Sequence, residues 1–468
     1  MFVRQLCCQS KFQTMNHKIL IVFIFILFQS TILFAQTSKE TISQKADVLL
    51  TDAYNKGIFS GAVVISKNGK KIYTKEMGFA DGKAKRAADK NTLFNIGSLN
   101  KKFTQEIISQ LVVENKLSYT DKLSKYLDLF PVEIGNTITI QQLINMKAGL
   151  GDFLQNPHYF EEMRFKNFSL SDLIELIKNE PLLFEPGTSI KYSNSGYVVL
   201  GAVIEKITGK SYEENLHDRI VSPLELNNIY YTKAEITSQT NRAFGINIEA
   251  SGNKKNTDEV ANSTPAGGIY TNIEDLLKFV EVKLMPQKPL GDRQGVPLFA
   301  GGSPNWSSAI SYNYENGFAI VVMANLGDDI AVKIAKRLNS ILNDEPYPPL
   351  EIAAKLPLAQ IINELGYEYI KANAEKLATQ QRLPYDDHFL NDAAIQFLDN
   401  NKPDIAINLF KVNIELFPKS VFTYDILAQT YLKTGDKINA LKYFKTVLEF
   451  DPNNQAVKKI VSDLDSKN

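Results

Sequence analysis

The sequence predicts an α+β body built on an antiparallel sheet flanked by helices, followed by an all-α segment of repeated helical pairs. Three observations carry this expectation. Hairpin patterns stand near both ends of residues 40–345. Between them run stretches whose apolar residues recur at helical spacing. Beyond about residue 387 a period of thirty-four residues takes over. Strands at the ends of a segment with helices between them fit a sheet covered by helical layers.

The elements follow in chain order. Residues 41–56 read as helix. Gly61–Ser66 is a β-branched run, Lys67-Asn-Gly-Lys70 supplies turn chemistry, and Lys71–Lys75 returns, which predicts a hairpin. Phe94–Ser98 leads into a stretch where Phe103, Ile107, Ile108, Leu111 and Val112 share one helical face. Residues 139–146 and 169–178 are predicted helices, and Glu185-Pro-Gly187 is a turn. Asn194 opens another helix, with Val198, Val199, Ala202 and Val203 on its apolar face. The turn Thr264–Gly268 precedes a helix over 273–284. Ser307–Tyr312 and Phe318–Ala324 flank Tyr314-Glu-Asn-Gly317 as a second hairpin, and residues 330–343 read as helix.

Pro418 and Pro452 mark the later period. Aligned on them, Leu390 pairs with Tyr424, Ala394 with Ala428, Phe397 with Tyr431, Ala406 with Ala440 and Phe410 with Phe444. This pattern resembles the tetratricopeptide repeat, with small residues where two helices touch and aromatics where each repeat fills the next. The expected organisation is a leader over 1–36, a body over 37–345, a helical linker over 346–386 and two repeats over 387–468.

Composition narrows the function classes. Hydrophobic residues make up 44% of the 468-residue chain and charged residues 22%, the values of an ordinary globular protein. Lys+Arg and Asp+Glu both number 52, and no basic run appears, so nucleic acid is not an expected partner. The N-terminus reads as an export signal. Met15-Asn-His-Lys18 is a basic start, Ile19–Phe28 is apolar without a break, and Ala35 stands before Gln36. Ten apolar residues are too few to span a bilayer, so no stable span is expected after cleavage, and the mature protein is expected in the periplasm or outside the cell. Cys7 and Cys8 both precede Met15, which leaves the mature chain without disulfide or thiol chemistry. The four histidines, His17, His158, His217 and His388, have no metal-ligand spacing.

Chemistry concentrates at Ser98-Leu-Asn-Lys101. Residues three apart share a helix face, so the Lys101 amine reaches the Ser98 hydroxyl. A serine hydroxyl is a weak nucleophile that needs a base beside it, and burial lowers a lysine's pKa toward neutrality. The same pattern recurs at Ser251-Gly-Asn-Lys254, in a polar loop with no apolar helix behind it. The second motif is Tyr192-Ser-Asn194. Its phenol can shuttle a proton, and its amide can hold both the lysine and a substrate carbonyl. Tyr314-Glu-Asn316 shares the letters but falls in a hairpin turn, where Asn serves the backbone.

In order, Gly61–Ser66 and the segments 92–104, 117–131, 143–153, 185–214, 264–279 and 299–308 resemble the serine β-lactamase and penicillin-binding-protein family, over roughly residues 40–345. The resemblance implies the β-lactamase/transpeptidase fold, with a helical subdomain beside the sheet. It makes Ser98 the acylated nucleophile and gives Lys101 and Tyr192 the general-base and general-acid work, the order of proton transfer being left open. It makes Asn194 a substrate-orienting residue, and Gly301 and Gly302 the substrate-binding strand. The Ser98 and Gly302 N–H groups would form the oxyanion hole. No metal or organic cofactor is implied.

Three departures from the family pattern shape the expected substrate. Phe299-Ala-Gly301 stands where a Lys or His, a small residue and Gly are usual. Phe299 cannot hold a carboxylate, which favours a neutral ester or amide unless Lys288 or Arg293 substitutes. Only about fifteen residues separate Leu284 from Phe299, a shortening that either opens the pocket or cripples the site. Met146-Lys-Ala-Gly149 replaces His-Thr-Ser-Gly in a region expected to be mainly structural. Two readings follow. One is an exported serine hydrolase acting on a small-molecule or peptide substrate, including D-amino-acid peptides or β-lactam-like compounds. The other is an inactive scaffold whose repeats grip a protein or peptide partner.

Overall fold

The computed structural model describes residues 41–163, 166, 168–248, 254–257, 260–286, 296–303, 305–327, 329–350, 358–380, 384–399 and 401–465. The leader, Ser251, Lys288 and Arg293 lie outside the described residues. Helix α1 (41–55) precedes strands β1 (Gly61–Lys67) and β2 (Lys70–Met77). Late in the body come β3 (Leu298–Ser303), β4 (Trp306–Asn313) and β5 (Phe318–Ala324). The five form one antiparallel sheet in the order β2-β1-β5-β4-β3. The first hairpin turns through Asn68 at φ 51° and Gly69 at φ 73°, the mirror-image turn that Asn-Gly favours.

Both faces of the central strands β1, β5 and β4 are buried, which explains why β5 reads as an unbroken apolar run. On the near face, Ala62, Val64, Val321 and Met323 pack with α2 (Asn100–Val113), α3 (Ser195–Thr208) and α4 (Ile273–Phe279). Phe103 of α2 stacks on Phe279 of α4, with ring centroids 3.8 Å apart. On the far face, Val63, Ile65, Ile320 and Val322 meet α1 and α5 (Ile330–Leu342). Alternate residues of one strand thus supply two separate cores, as the two-residue side-chain period requires.

The middle of the chain forms short helices beside α2 and α3. Ile140–Ile144 and Leu170–Ile177 each start with a capping box, from Thr139 with Gln142 and from Ser169 with Asp172. These reciprocal bonds satisfy backbone N–H groups that a short helix otherwise leaves open.

The C-terminal segment is all helical among the described residues: α6 (Leu358–Gln380), α7 (His388–Asp399), α8 (Pro403–Leu416), α9 (Val421–Lys433), α10 (Lys437–Phe450) and α11 (Gln455–Asp465). Gly366, at φ 77° and ψ 176°, breaks α6 in two. Both ends of α8 and α10 are offset by the sequence period. Ala394, Ala406, Ala428, Ala440, Phe397, Phe410 and Phe444 are fully buried, whereas Tyr424 is only partly so. Leu350 and Leu358 belong to the same apolar cluster as the far face of the sheet and these helices, so the segment packs into the body's second core.

Candidate active site

Ser98 lies in a short 3₁₀ turn, Gly97–Leu99, that runs straight into α2. The helix cap falls on Leu99 and has no side-chain bond, so the Ser98 hydroxyl is not used for capping. The turn is fixed from several sides. Asn95 Oδ1 accepts from Gly97 N at 2.8 Å, Ile96 N donates to Ile269 O at 3.0 Å, and Ser308 Oγ donates to Ile96 O at 2.8 Å. Strand β3 passes so close that a Cβ on Gly301 would sit 2.0 Å from Ile96 O and 2.8 Å from Ser98 N. Gly97, at φ 50°, faces the same constraint, since its Cβ would lie 2.5 Å from Gly302 N. Glycine at these positions lets two backbones meet where a side chain would push them apart.

One turn along α2, Lys101 is almost fully buried. Its Nζ donates to Asn194 Oδ1 at 2.7 Å and Ala266 O at 2.6 Å, and lies 3.0 Å from Ser98 Oγ. The half-exposed Tyr192 ring carries its hydroxyl onto Ser98 Oγ, 2.6 Å away. The Lys101 ammonium stands 5.0 Å from the Tyr192 ring centre. Burial pulls Lys101 down to about 7, with Asp152 pulling weakly the other way. Burial raises the Tyr192 phenol above its ordinary value, the bond to Ser98 opposing this and Asp152 adding to it. A low-pKa amine and a high-pKa phenol thus flank one hydroxyl, which suits them to accept and to donate a proton respectively.

Asn194 opens α3 but does not cap it, a difference from an ordinary helix-start asparagine. Its Oδ1 faces Lys101, while its Nδ2 donates to Asp152 Oδ2 at 2.8 Å. One N–H of that amide goes to Asp152, a partner the sequence did not indicate, and the second N–H is the one that could meet a substrate carbonyl. Asp152 went unrecognised in the sequence. It lies three residues beyond Met146–Gly149, inside the segment 143–153, as an acid between Gly151 and the buried Phe153. The same segment anchors the Tyr192 loop, because Leu183 N donates to Gly149 O at 2.8 Å and Lys191 N to Met146 O at 3.0 Å. The Ala266 carbonyl comes from the turn Thr264–Gly268, which the sequence marked as a turn and as a family segment but not as a partner of Lys101.

The structure brings Ser98, Lys101, Tyr192 and Asn194 into one cluster, with Gly301 and Gly302 against the Ser98 turn. Despite the short stretch before Phe299, β3 pairs fully with β4, Gly301 lying opposite Ser308. Phe299 packs away on Lys102, whose Nζ is 3.4 Å from the ring centre, and on Tyr312 at 6.2 Å. A cation therefore sits on the aromatic face of Phe299.

An antiparallel sheet covered by helices, with serine, lysine and tyrosine converging at the start of one of them, defines a serine hydrolase. The chain belongs to the Beta-lactamase family, whose model matches residues 41–340. It is 27% identical over 339 residues to Protein flp of Staphylococcus aureus strain MW2, covering 65% of this chain and 67% of that protein. Penicillin-binding protein 4* of Bacillus subtilis is 33% identical over 172 residues, 36% of this chain and 37% of that one. Among solved structures, EstCE1, a hydrolase with promiscuous acyltransferase activity, superposes with a TM-score of 0.57 at 18% identity, covering 65% of this chain and 99% of that one.

Proposed function

We propose that the protein is an exported serine hydrolase that forms an acyl-enzyme on Ser98 from a neutral ester or amide. The observation that carries this is the Ser98 hydroxyl held 2.6 Å from Tyr192 OH and 3.0 Å from Lys101 Nζ. Lys101 as the free amine takes the Ser98 proton while Oγ bonds to the substrate carbonyl carbon, and the carbonyl π pair moves onto oxygen. The Ser98 and Gly302 N–H groups stabilise that oxyanion. Its collapse breaks the bond to the leaving group, which takes the Tyr192 proton; Lys101 then reprotonates the phenol. Water repeats the sequence on the ester and frees Ser98. Phe299 supports a neutral substrate, since the side chain at that place in β3 is uncharged and the neighbouring Lys102 ammonium is seated on its ring face. Export rests on the sequence of the leader.

The test is intact mass after incubation with a fluorophosphonate, together with turnover of p-nitrophenyl esters, nitrocefin and a D-Ala-D-Ala peptide. The expected result is one adduct on Ser98, loss of adduct and turnover in Ser98→Ala, and a preference for the neutral ester. A folded protein that takes no label and turns over no ester would be a scaffold, and its helical segment would then be the part to test for a protein partner.

A further inference from the structure

Lys101 Nζ has three polar neighbours, and two of them can only accept. The Ala266 carbonyl accepts at 2.6 Å, and Asn194 Oδ1 accepts at 2.7 Å. A neutral amine has two N–H groups and one lone pair. With both N–H groups committed to those oxygens, the lone pair is left for Ser98 Oγ at 3.0 Å, the geometry a base needs. The aim of that lone pair depends on which end of the Asn194 amide faces Lys101. An amide turned over would offer N–H, which a neutral lysine would meet with the lone pair itself.

One group decides the question. Asp152 Oδ2 faces both Asn194 Nδ2 at 2.8 Å and Asn194 N at 3.4 Å, and Asp152 Oδ1 accepts from Leu154 N at 3.1 Å. A carboxylate only accepts, so the amide must turn its NH₂ to Asp152 and its oxygen to Lys101. We propose that Asp152 is a positioning residue that locks the Asn194 amide and so aims the Lys101 lone pair at Ser98. This rests on the acyl-enzyme reading above. The titratable groups around Lys101 are Tyr192 from the loop before α3, Tyr197 on α3 with its ring centre 5.5 Å away, and Asp152.

The test compares wild type, Asp152→Asn and the double variant Asp152→Asn/Asn194→Asp on a p-nitrophenyl ester, with fluorophosphonate labelling rates against pH. Asp152→Asn keeps size but permits either amide orientation. It is expected to lower kcat about a hundredfold with little change in KM. The limb of its pH profile should move to lower pH, because a charge that holds up the Lys101 pKa is gone. In the double variant the carboxylate at 194 accepts whichever way it faces. Activity should recover in part, with the limb moved above the wild-type position by the charge now touching Nζ. A merely structural role for Asp152 would leave the double variant no faster than Asp152→Asn on its pH plateau, since the charges alone move the limbs. Equal labelling rates and limbs in wild type and Asp152→Asn would overturn the inference while leaving the hydrolase reading standing. If Asp152→Asn does not fold, the double variant decides alone, and a plateau rate still about a hundredfold below wild type overturns the inference. A wild type that never labels at Ser98 removes the hydrolase reading and this inference with it.

Discussion

Tyr192-Ser-Asn194 and Tyr314-Glu-Asn316 repeat the same pattern in two surroundings. At the first, the phenol meets Ser98 and the buried amide bridges Lys101 and Asp152. At the second, Tyr314 is exposed on the β4–β5 hairpin. There Asn316 Oδ1 accepts from the nearby Phe318 N at 3.4 Å, and Asn313 Oδ1 takes Glu315 N at 2.9 Å. Both tyrosines stand in loops, so the loop itself does not make the chemistry. The difference is that three other segments, 98–101, 152 and 266, arrive at the first site, whereas among the described residues the Asn316 side chain bonds within its own turn.

The sharpest way to break this contrast is to remove both hydroxyls. Tyr192→Phe is expected to lower kcat/KM on an ester by about 10²–10⁴, the usual weight of general acid–base catalysis. Tyr314→Phe should stay within about twofold of wild type, as surface changes away from a site do. Equal losses would mean that the two regions are not distinct in function.

The next effect is the pH profile. Lys101, lowered to about 7 by burial, is an ammonium below that pH and has no lone pair to accept the Ser98 proton. The value of kcat/KM should therefore fall about tenfold per pH unit below the limb and level off above it. A limb near the ordinary lysine value would show that the amine is not desolvated as its burial requires.

Gly301→Ala sharpens the comparison through packing. Its Cβ would meet the Ile96 carbonyl, so β3 must move away from the Ser98 turn. The expected loss is about 1–3 kcal/mol of stability in denaturant unfolding, the range for overpacking, with slower ester turnover besides. The smallest effect belongs to the hairpin. Asn316→Ala removes one long, half-buried bond to the backbone and should cost about 0.5–1.5 kcal/mol or less, with turnover unchanged.

Much of the fold was legible from local pattern. The Asn-Gly turn at 68–69, the apolar face of α2 and the paired alanines of α7 to α10 each rest on neighbours a few residues away or on one repeat. The near and far cores were less legible, because β5 buries both faces and so loses the alternation that marks a half-exposed strand. Within the site, Ser98 and Lys101 were readable together, since a helix alone sets their spacing. Asp152 was not, because a carboxylate in a loop looks like a solvated one until a partner from another segment reaches it.

What the sequence determined by itself were relations along the chain: strands, turns, helix faces, and an amine one turn from a hydroxyl. Only the tertiary structure decided that Tyr192, 94 residues from Ser98, completes that pair, and that Asp152 and the Ala266 carbonyl orient it. The physical reason is range. Backbone geometry fixes what lies within one helical turn, whereas a buried polar cluster exists only once distant segments exclude water together.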